Sequence, residues 1–191
     1  LLLPFTIPII LNNFLNNLKN KSNNASQNKN NYNLKTICVG NIYLGGTGKT
    51  PSVIKINQIL KDLEYKTVFI KKNYKDSYDE HKLLEKHGNV LSSSKRIDSL
   101  IKASKICDVA IFDDGLQDAS IKYDLKFVCF NVKSFIGNGM LIPSGHLREK
   151  ISSLKKYDAV FLNGNNENLD EIISKIDNQN KNIKIFESNY K

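Results

Sequence analysis

The sequence predicts an α/β fold built on a mostly parallel sheet with helices on both faces. Three observations carry this. Short apolar, β-branched runs alternate along the chain with segments of helical spacing. A strand-like run at 35–39 leads into a glycine-rich loop and then a helical pattern, and a second hydrophobic run, VAIFDDGLQD at 109–118, ends in two carboxylates. In open parallel sheets ligands sit beyond the carboxyl ends of the strands, so both junctions fall on the edge where function is expected.

In chain order, KTICV at 35–39 is apolar enough for a buried strand, and Val53, Ile56, Ile59, Leu60 and Leu63 follow at helical spacing. Further strands are expected at 66–70, near Val90, and at 109–112, 126–131 and 159–163, with a strand-like stretch near the end in IKIFESNYK. Helices are expected at 79–87, 95–104, 147–156 and 168–176. Residues 20–33 are the one candidate linker, and no internal repeat is evident.

The loop reads VGNIYLGGTGKTP at 39–51. At a strand-to-helix junction the free N–H groups of the helix point into the loop, and glycines let a phosphate approach them. Gly45, Gly46, Thr47 and Gly48 would form such a cradle, with Lys49 reaching the β and γ phosphates and the Thr50 hydroxyl coordinating Mg²⁺. Pro51 suits a first helical turn, where no N–H is needed. The strict pattern would place a glycine where Tyr43 stands, so the match is imperfect. The fold class is accordingly P-loop NTPase-like. A hydrophobic strand delivering Asp113 and Asp114 has the form of the element that holds Mg²⁺ directly or through water. The plainer alternative is a surface turn opened by two acids before Gly115.

The chain has 191 residues, 28 Lys+Arg against 19 Asp+Glu, and a net charge of +9. No acid precedes Asp62, while lysines stand at 19, 21, 29, 35, 49, 55 and 61, so the basic excess belongs to the N-terminal third. Such a field attracts phosphates without choosing among nucleotides, anionic lipids and nucleic acid. The three cysteines, Cys38, Cys107 and Cys129, lack C-x-x-C spacing and read as thiols in a reducing compartment. LLLPFTIPIIL at 1–11 is too short to span a bilayer and is interrupted by Pro4 and Pro8, but with Phe14, Leu15, Leu18 and Lys19 it fits an interfacial segment on an anionic leaflet, the alternative being an ordinary helix packed on the domain. The division expected is an apolar, membrane-associated segment with an Asn/Lys-rich linker at 1–33 and a nucleotide-binding domain at 34–191. The missing initiator methionine and the ending in IKIFESNYK suggest a piece of a longer protein. GNGMLIPSGHLREK at 137–150 is irregular and apolar, as binding loops are, and contains Arg148, one of only two arginines. Its alternative reading is a charged helix start.

VGNIYLGGTGKTP, DDGLQ, and GNG followed by LIPSGHLRE, in this order, resemble the tetraacyldisaccharide 4′-kinase family of lipid A biosynthesis over about residues 34–165. The resemblance implies transfer of the ATP γ-phosphoryl group, with Mg²⁺, to the 4′-hydroxyl of a lipid A disaccharide precursor at the cytoplasmic face of the bacterial inner membrane. It implies a peripheral anionic membrane surface as partner, no nucleic acid, and a C-terminal domain beyond this chain. The family's Gly-Asp-Glu-Pro segment corresponds to YDEHKLL at 78–84, which makes Asp79 the candidate base beside Lys49; Tyr74, Gln117, Asn138 and Arg148 become candidates for substrate contact. Departures are KKNY at 71–74 in place of Ser-Arg-Gly-Tyr, Asp118 in place of a histidine, and His81 and Lys150 in place of prolines. Other P-loop enzymes such as ligases share the loop and acids but do not need the GNG to LRE segment. A partition-type ATPase would carry a lysine where Leu44 stands, and a degenerate nucleotide-binding remnant is the third alternative.

Overall fold

The computed structural model describes residues 34–73, 78–165 and 168–188. The N-terminal segment and linker expected at 1–33, and Tyr74, lie outside the described residues. The chain divides into two compact units, one made of residues 34–40 and Gly48–Phe127, the other of Asn41–Thr47 and residues 128–188. Seven strands are described, and the pairs β1–β4, β2–β3, β2–β4 and β6–β7 are all parallel.

In the first unit the strands β1 (Lys35–Gly40), β2 (Thr67–Lys72), β3 (Val90–Ser93) and β4 (Val109–Asp113) lie in the order β3-β2-β4-β1. Three helices connect them: α1 (Lys49–Asp62), α2 (Tyr78–Glu85) and α3 (Arg96–Ala103). Parallel neighbours require such crossovers, because a tight turn can join only antiparallel strands. β4 is buried along its whole length, as a central parallel strand must be. Val68, Ile70, Ala110, Phe112 and Cys38 project into a core closed by Leu100 and Ala103 of α3 and by Ile121 and Tyr123. Phe112 and Tyr123 meet edge to face with centroids 4.9 Å apart.

The second unit holds the larger part of β5 (Leu125–Asn131), then β6 (Ala159–Asn163), α4 (Leu169–Asp177) and β7 (Lys184–Ser188), with strand order β5-β6-β7. The strands expected from the sequence are all present. The helix expected at 147–156 is not: only Ile151–Lys156 turns, as a 3₁₀ helix. The cause is local. Leu147 forms bridges with Tyr43 and Leu141, the N–H groups of Arg148 and Glu149 both donate to Ile42 O (2.7 and 3.2 Å), and Lys150 is extended (φ −62°, ψ 150°), so the backbone is committed to the loop in a non-helical conformation until Ile151.

Candidate functional site

The first unit carries the start of α1. Gly48 is left-handed (φ 76°) and caps the helix with no side-chain hydrogen bond; no acid stands in the first turn, and Pro51 in that turn has no N–H to satisfy. A helix start left this way presents backbone donors and positive dipole to an anion. Thr50, in the same turn, is buried and its Oγ1 donates to Asp113 Oδ2 at 3.4 Å.

Asp113 ends β4 and is 1% exposed. The sheet register sets it beside Val39 of β1 and Lys71 of β2. Residues in register on neighbouring strands project to the same face. Lys71 Nζ accordingly lies 2.6 Å from Asp113 Oδ2, and a further 2.6 Å contact joins it to Glu80 Oε2 in the first turn of α2. Burial works against the Lys71 charge, but Asp113 and Glu80 together hold its pKa above the ordinary lysine value. Burial pushes the Asp113 carboxyl up, while the charges of Lys71 and Lys49 act the other way. Lys71 was not among the candidates read from the sequence. A lysine near the end of TVFIKK reads as the polar exit of a strand, and only the register reveals its partner.

The turn after Asp113 is held from both sides. Asp114 adopts φ 60°, a conformation asparagine and aspartate tolerate better than most residues, and its N–H donates to Val39 O at 2.9 Å. The guanidinium of Arg96, buried at the start of α3, donates to Asp114 O and, at 3.2 Å, to Asp118 Oδ2. A Cβ at Gly115 would come within 2.6 Å of Tyr123 Oη and 3.2 Å of Cys38 Sγ, so the turn admits only glycine there. Gln117 is exposed on this turn. Asp79 is exposed in the first turn of α2, next to Glu80. Arg96 is a second residue the sequence reading missed; its signal was scarcity, since it is one of only two arginines.

In the second unit the loop residues before Gly48 have their own supports. Tyr43, where the strict pattern has glycine, is 3% exposed; its ring stacks on Phe130 at 5.8 Å, and its hydroxyl accepts from Asn131 N–H at 2.8 Å. The side chain is thus a core residue of this unit. Gly45 has φ 134°, open to glycine alone, and Gly46 has nothing within 4 Å of a Cβ position. Thr47 is fixed by two buried asparagines: Asn163 Nδ2 donates to its carbonyl at 2.6 Å and Asn41 Nδ2 to its Oγ1 at 3.4 Å. Asn163 in turn accepts from Ser188 Oγ. Asn138 closes its own loop, accepting from Met140 N–H at 3.1 Å and donating to Ser144 O at 2.9 Å. Arg148 is half-buried beside Glu149, which is buried and accepts from the Tyr157 hydroxyl at 3.0 Å; the charged helix start is therefore not what this stretch forms.

The Thr50 and Asp113 oxygens are hard donors, and their 3.4 Å separation is near the roughly 2.9 Å between adjacent ligands of an octahedral shell with 2.0–2.1 Å bonds. These residues fit a Mg²⁺ ion, which takes only one or two protein ligands and keeps several waters. Among the described residues no three His, Cys, Asp or Glu side chains cluster as a self-sufficient metal site.

A buried strand, a glycine loop opening an uncapped helix, and an aspartate at the end of the neighbouring strand within reach of the helix's hydroxyl define a P-loop nucleotide-binding α/β protein. Comparison narrows the class. The chain belongs to the tetraacyldisaccharide-1-P 4′-kinase family, whose model matches residues 1–191. It is 55% identical over 161 residues to the tetraacyldisaccharide 4′-kinase of Pelagibacter ubique, covering 84% of this chain and 51% of that protein. Against the enzyme of the same name from Rickettsia bellii it is 36% identical over 151 residues, covering 69% and 47%. The crystal structure of LpxK from Aquifex aeolicus in complex with ATP superposes with a TM-score of 0.68 at 27% identity, covering 84% of this chain and 57% of that one. The hydrogenase maturation factor HypB from Archaeoglobus fulgidus, at 15% identity and a TM-score of 0.60 over 94% of this chain and 90% of its own, shares the fold alone. The chain spans about half the length of the two kinases it matches by sequence.

Proposed function

We propose that the protein containing this chain is an ATP-dependent kinase that phosphorylates the 4′-hydroxyl of a tetraacyl disaccharide 1-phosphate, and that the chain supplies its nucleotide-binding part. The observation that carries the reading is the Thr50 hydroxyl set 3.4 Å from the buried carboxylate of Asp113, at the start of an uncapped helix, in a chain of this family. Residues 45–51 would bind the ATP phosphates through backbone N–H groups, with Lys49 on the β and γ phosphates. Thr50 and Asp113, with Asp114 beside them, would hold Mg²⁺, which when bound neutralises charge developing on the phosphates. Asp79, exposed in the first turn of α2, would take the proton from the sugar hydroxyl. Tyr74, Gln117, Asn138 and Arg148 are proposed to contact the disaccharide. The lipid substrate calls for a membrane surface, and the basic, apolar N-terminal segment would supply contact with the inner membrane's cytoplasmic leaflet. Among the described residues no helix is long and apolar enough to cross a membrane.

The test is transfer of labelled γ-phosphate from Mg-ATP to a tetraacyl disaccharide 1-phosphate by the complete protein. Asp79→Ala is expected to lower kcat by about 10²- to 10⁴-fold, the usual contribution of a general base, while ATP still binds. Lys49→Ala is expected to lose both ATP affinity and turnover. ATP binding without any product from the parent would remove the lipid kinase assignment and leave a nucleotide-binding protein with another acceptor.

A further inference from the structure

The Asp113 oxygen that would face a metal already has a cation on it. Oδ2 accepts from Thr50 Oγ1 at 3.4 Å and from Lys71 Nζ at 2.6 Å, and the same Nζ lies 2.6 Å from Glu80 Oε2. The Lys71 and Asp113 side chains are 5% and 1% exposed, whereas that of Glu80 is 55% exposed. The sheet register makes the Lys71–Asp113 contact a property of the fold, since these two positions are direct neighbours on β2 and β4. Glu80 is carried by a different element, the first turn of α2, and its exposure leaves it free to re-solvate. A buried carboxylate needs a partner, because desolvated charge without one is costly. Two cations on one carboxylate oxygen repel strongly in a site of low dielectric.

We infer that Lys71 is a positioning residue that acts as a resident counter-ion of the metal site: it covers Asp113 Oδ2 in the nucleotide-free protein, and a divalent cation entering with the nucleotide takes that oxygen over while the ammonium stays on Glu80. The consequence is coupling. Free metal binds poorly because it must displace an ammonium from a buried carboxylate, and the polyphosphate adds the negative charge that tips the exchange. Glu80 is then the receiving group, which keeps Lys71 paired after the exchange and ties α2, the helix that carries Asp79, to the state of the metal site. The inference rests on Thr50 and Asp113 being the metal ligands.

The test is Mn²⁺ binding to the complete protein, followed by electron paramagnetic resonance with and without ATP. In the absence of ATP, Lys71→Met is expected to bind Mn²⁺ about 10- to 100-fold more tightly than the parent, the range over which groups bonded to a metal ligand act on metal affinity. The gain is expected to shrink when ATP is present. Glu80→Gln, a change at a half-exposed side chain, is expected to weaken Mn²⁺ binding about tenfold or more, because the displaced ammonium loses its second carboxylate. In the double variant that loss should disappear, since Lys71 is what transmits it. Unchanged or weaker binding in a folded Lys71→Met protein overturns the inference, and so does a Glu80→Gln loss that persists without Lys71. Should Lys71→Met not fold, Glu80→Gln decides alone, and undiminished Mn²⁺ affinity there overturns the inference. Failure of the underlying metal reading looks different: the parent and Asp113→Asn would then bind Mn²⁺ equally in the presence of ATP.

Discussion

Arg96 shows how one side chain can set the shape of a turn it does not belong to. Its guanidinium spans the Asp114 carbonyl and the Asp118 carboxylate, using the fork geometry that a lysine cannot reproduce. Asp118 is half-buried, which by itself would disfavour its charge, but two bonds from Ser120 and the Arg96 charge carry its pKa below the ordinary aspartate value. The sign follows by linkage. A carboxyl with a depressed folded-state pKa stabilises the protein above its unfolded pKa, near 3.9, and that contribution disappears as pH falls through the folded value. Asp118→Asn is therefore expected to lower stability at pH 6–7, with the difference from the parent closing below about pH 4; urea unfolding across that range reads it. A difference that stays constant down to pH 2 would mean that the amide disturbs packing and that the charge is not what matters. The family resemblance marked Asp118 only as a departure from histidine, and its partner Arg96 lies too far away in sequence for any pattern to join them.

At the scale of elements, α1 illustrates what the sequence discloses and what it withholds. Its existence and start were legible from Val53 and its apolar neighbours and from the glycine run before them, but the face that it buries was not. Ile59 and Leu63, counted in the apolar pattern, are 48% and 62% exposed, while the polar Asn57 is 3% exposed. Asn57 accepts from Thr67 Oγ1 at 2.6 Å and donates to His87 O at 3.1 Å, and Lys61 Nζ donates to the same carbonyl at 2.8 Å. One helix is thereby pinned to the first residue of β2 and to the turn before β3. Helical spacing reports apolar stripes, whereas this anchor is a polar residue satisfied by groups 10 and 30 positions away, so nothing local marks it. The same limit explains residues 147–156, where Leu147 is drawn into bridges with Tyr43 and Leu141 from elsewhere in the chain and the backbone stays non-helical through Lys150. Strands were easier, because a buried parallel strand is a continuous apolar run that needs no partner to be recognised. Asn57→Ala is expected to cost about 1–3 kcal/mol, since the Thr67 hydroxyl loses its acceptor at a buried position, while Lys61 Nζ stays on the His87 carbonyl. Denaturant unfolding monitored by circular dichroism measures it, and a cost under about 0.5 kcal/mol, the level of an ordinary surface substitution, would mean that water replaces the asparagine.

For the molecule as a whole the governing quantity is the uneven charge. The net +9 is concentrated toward the N-terminus, where residues 1–61 carry seven lysines and no acid, and the proposed lipid substrate would be met at an anionic membrane surface. Such a field does two separable things. It concentrates phosphate-bearing ligands generally, and where an apolar segment adjoins it, as at residues 1–11, it would add to the interfacial partitioning proposed for that segment. Each lysine near an anionic surface contributes about 1 kcal/mol, so replacing Lys19, Lys21 and Lys29 together by glutamine is expected to weaken binding to phosphatidylglycerol vesicles about a hundredfold. Binding of the parent should fall steeply on raising salt, as screening over about 10 Å at 0.1 M shortens further. Sedimentation with vesicles of increasing anionic content, at two salt concentrations, gives both numbers. If the triple variant partitions like the parent, the apolar segment acts without help from the charge; if the parent instead binds duplex DNA with a salt slope corresponding to several phosphates, the basic third is a nucleic-acid surface and the membrane reading fails. Either outcome leaves the proposed metal positions to be tested separately, because Thr50, Lys71 and Asp113 are set by the start of α1 and the sheet register within one compact unit.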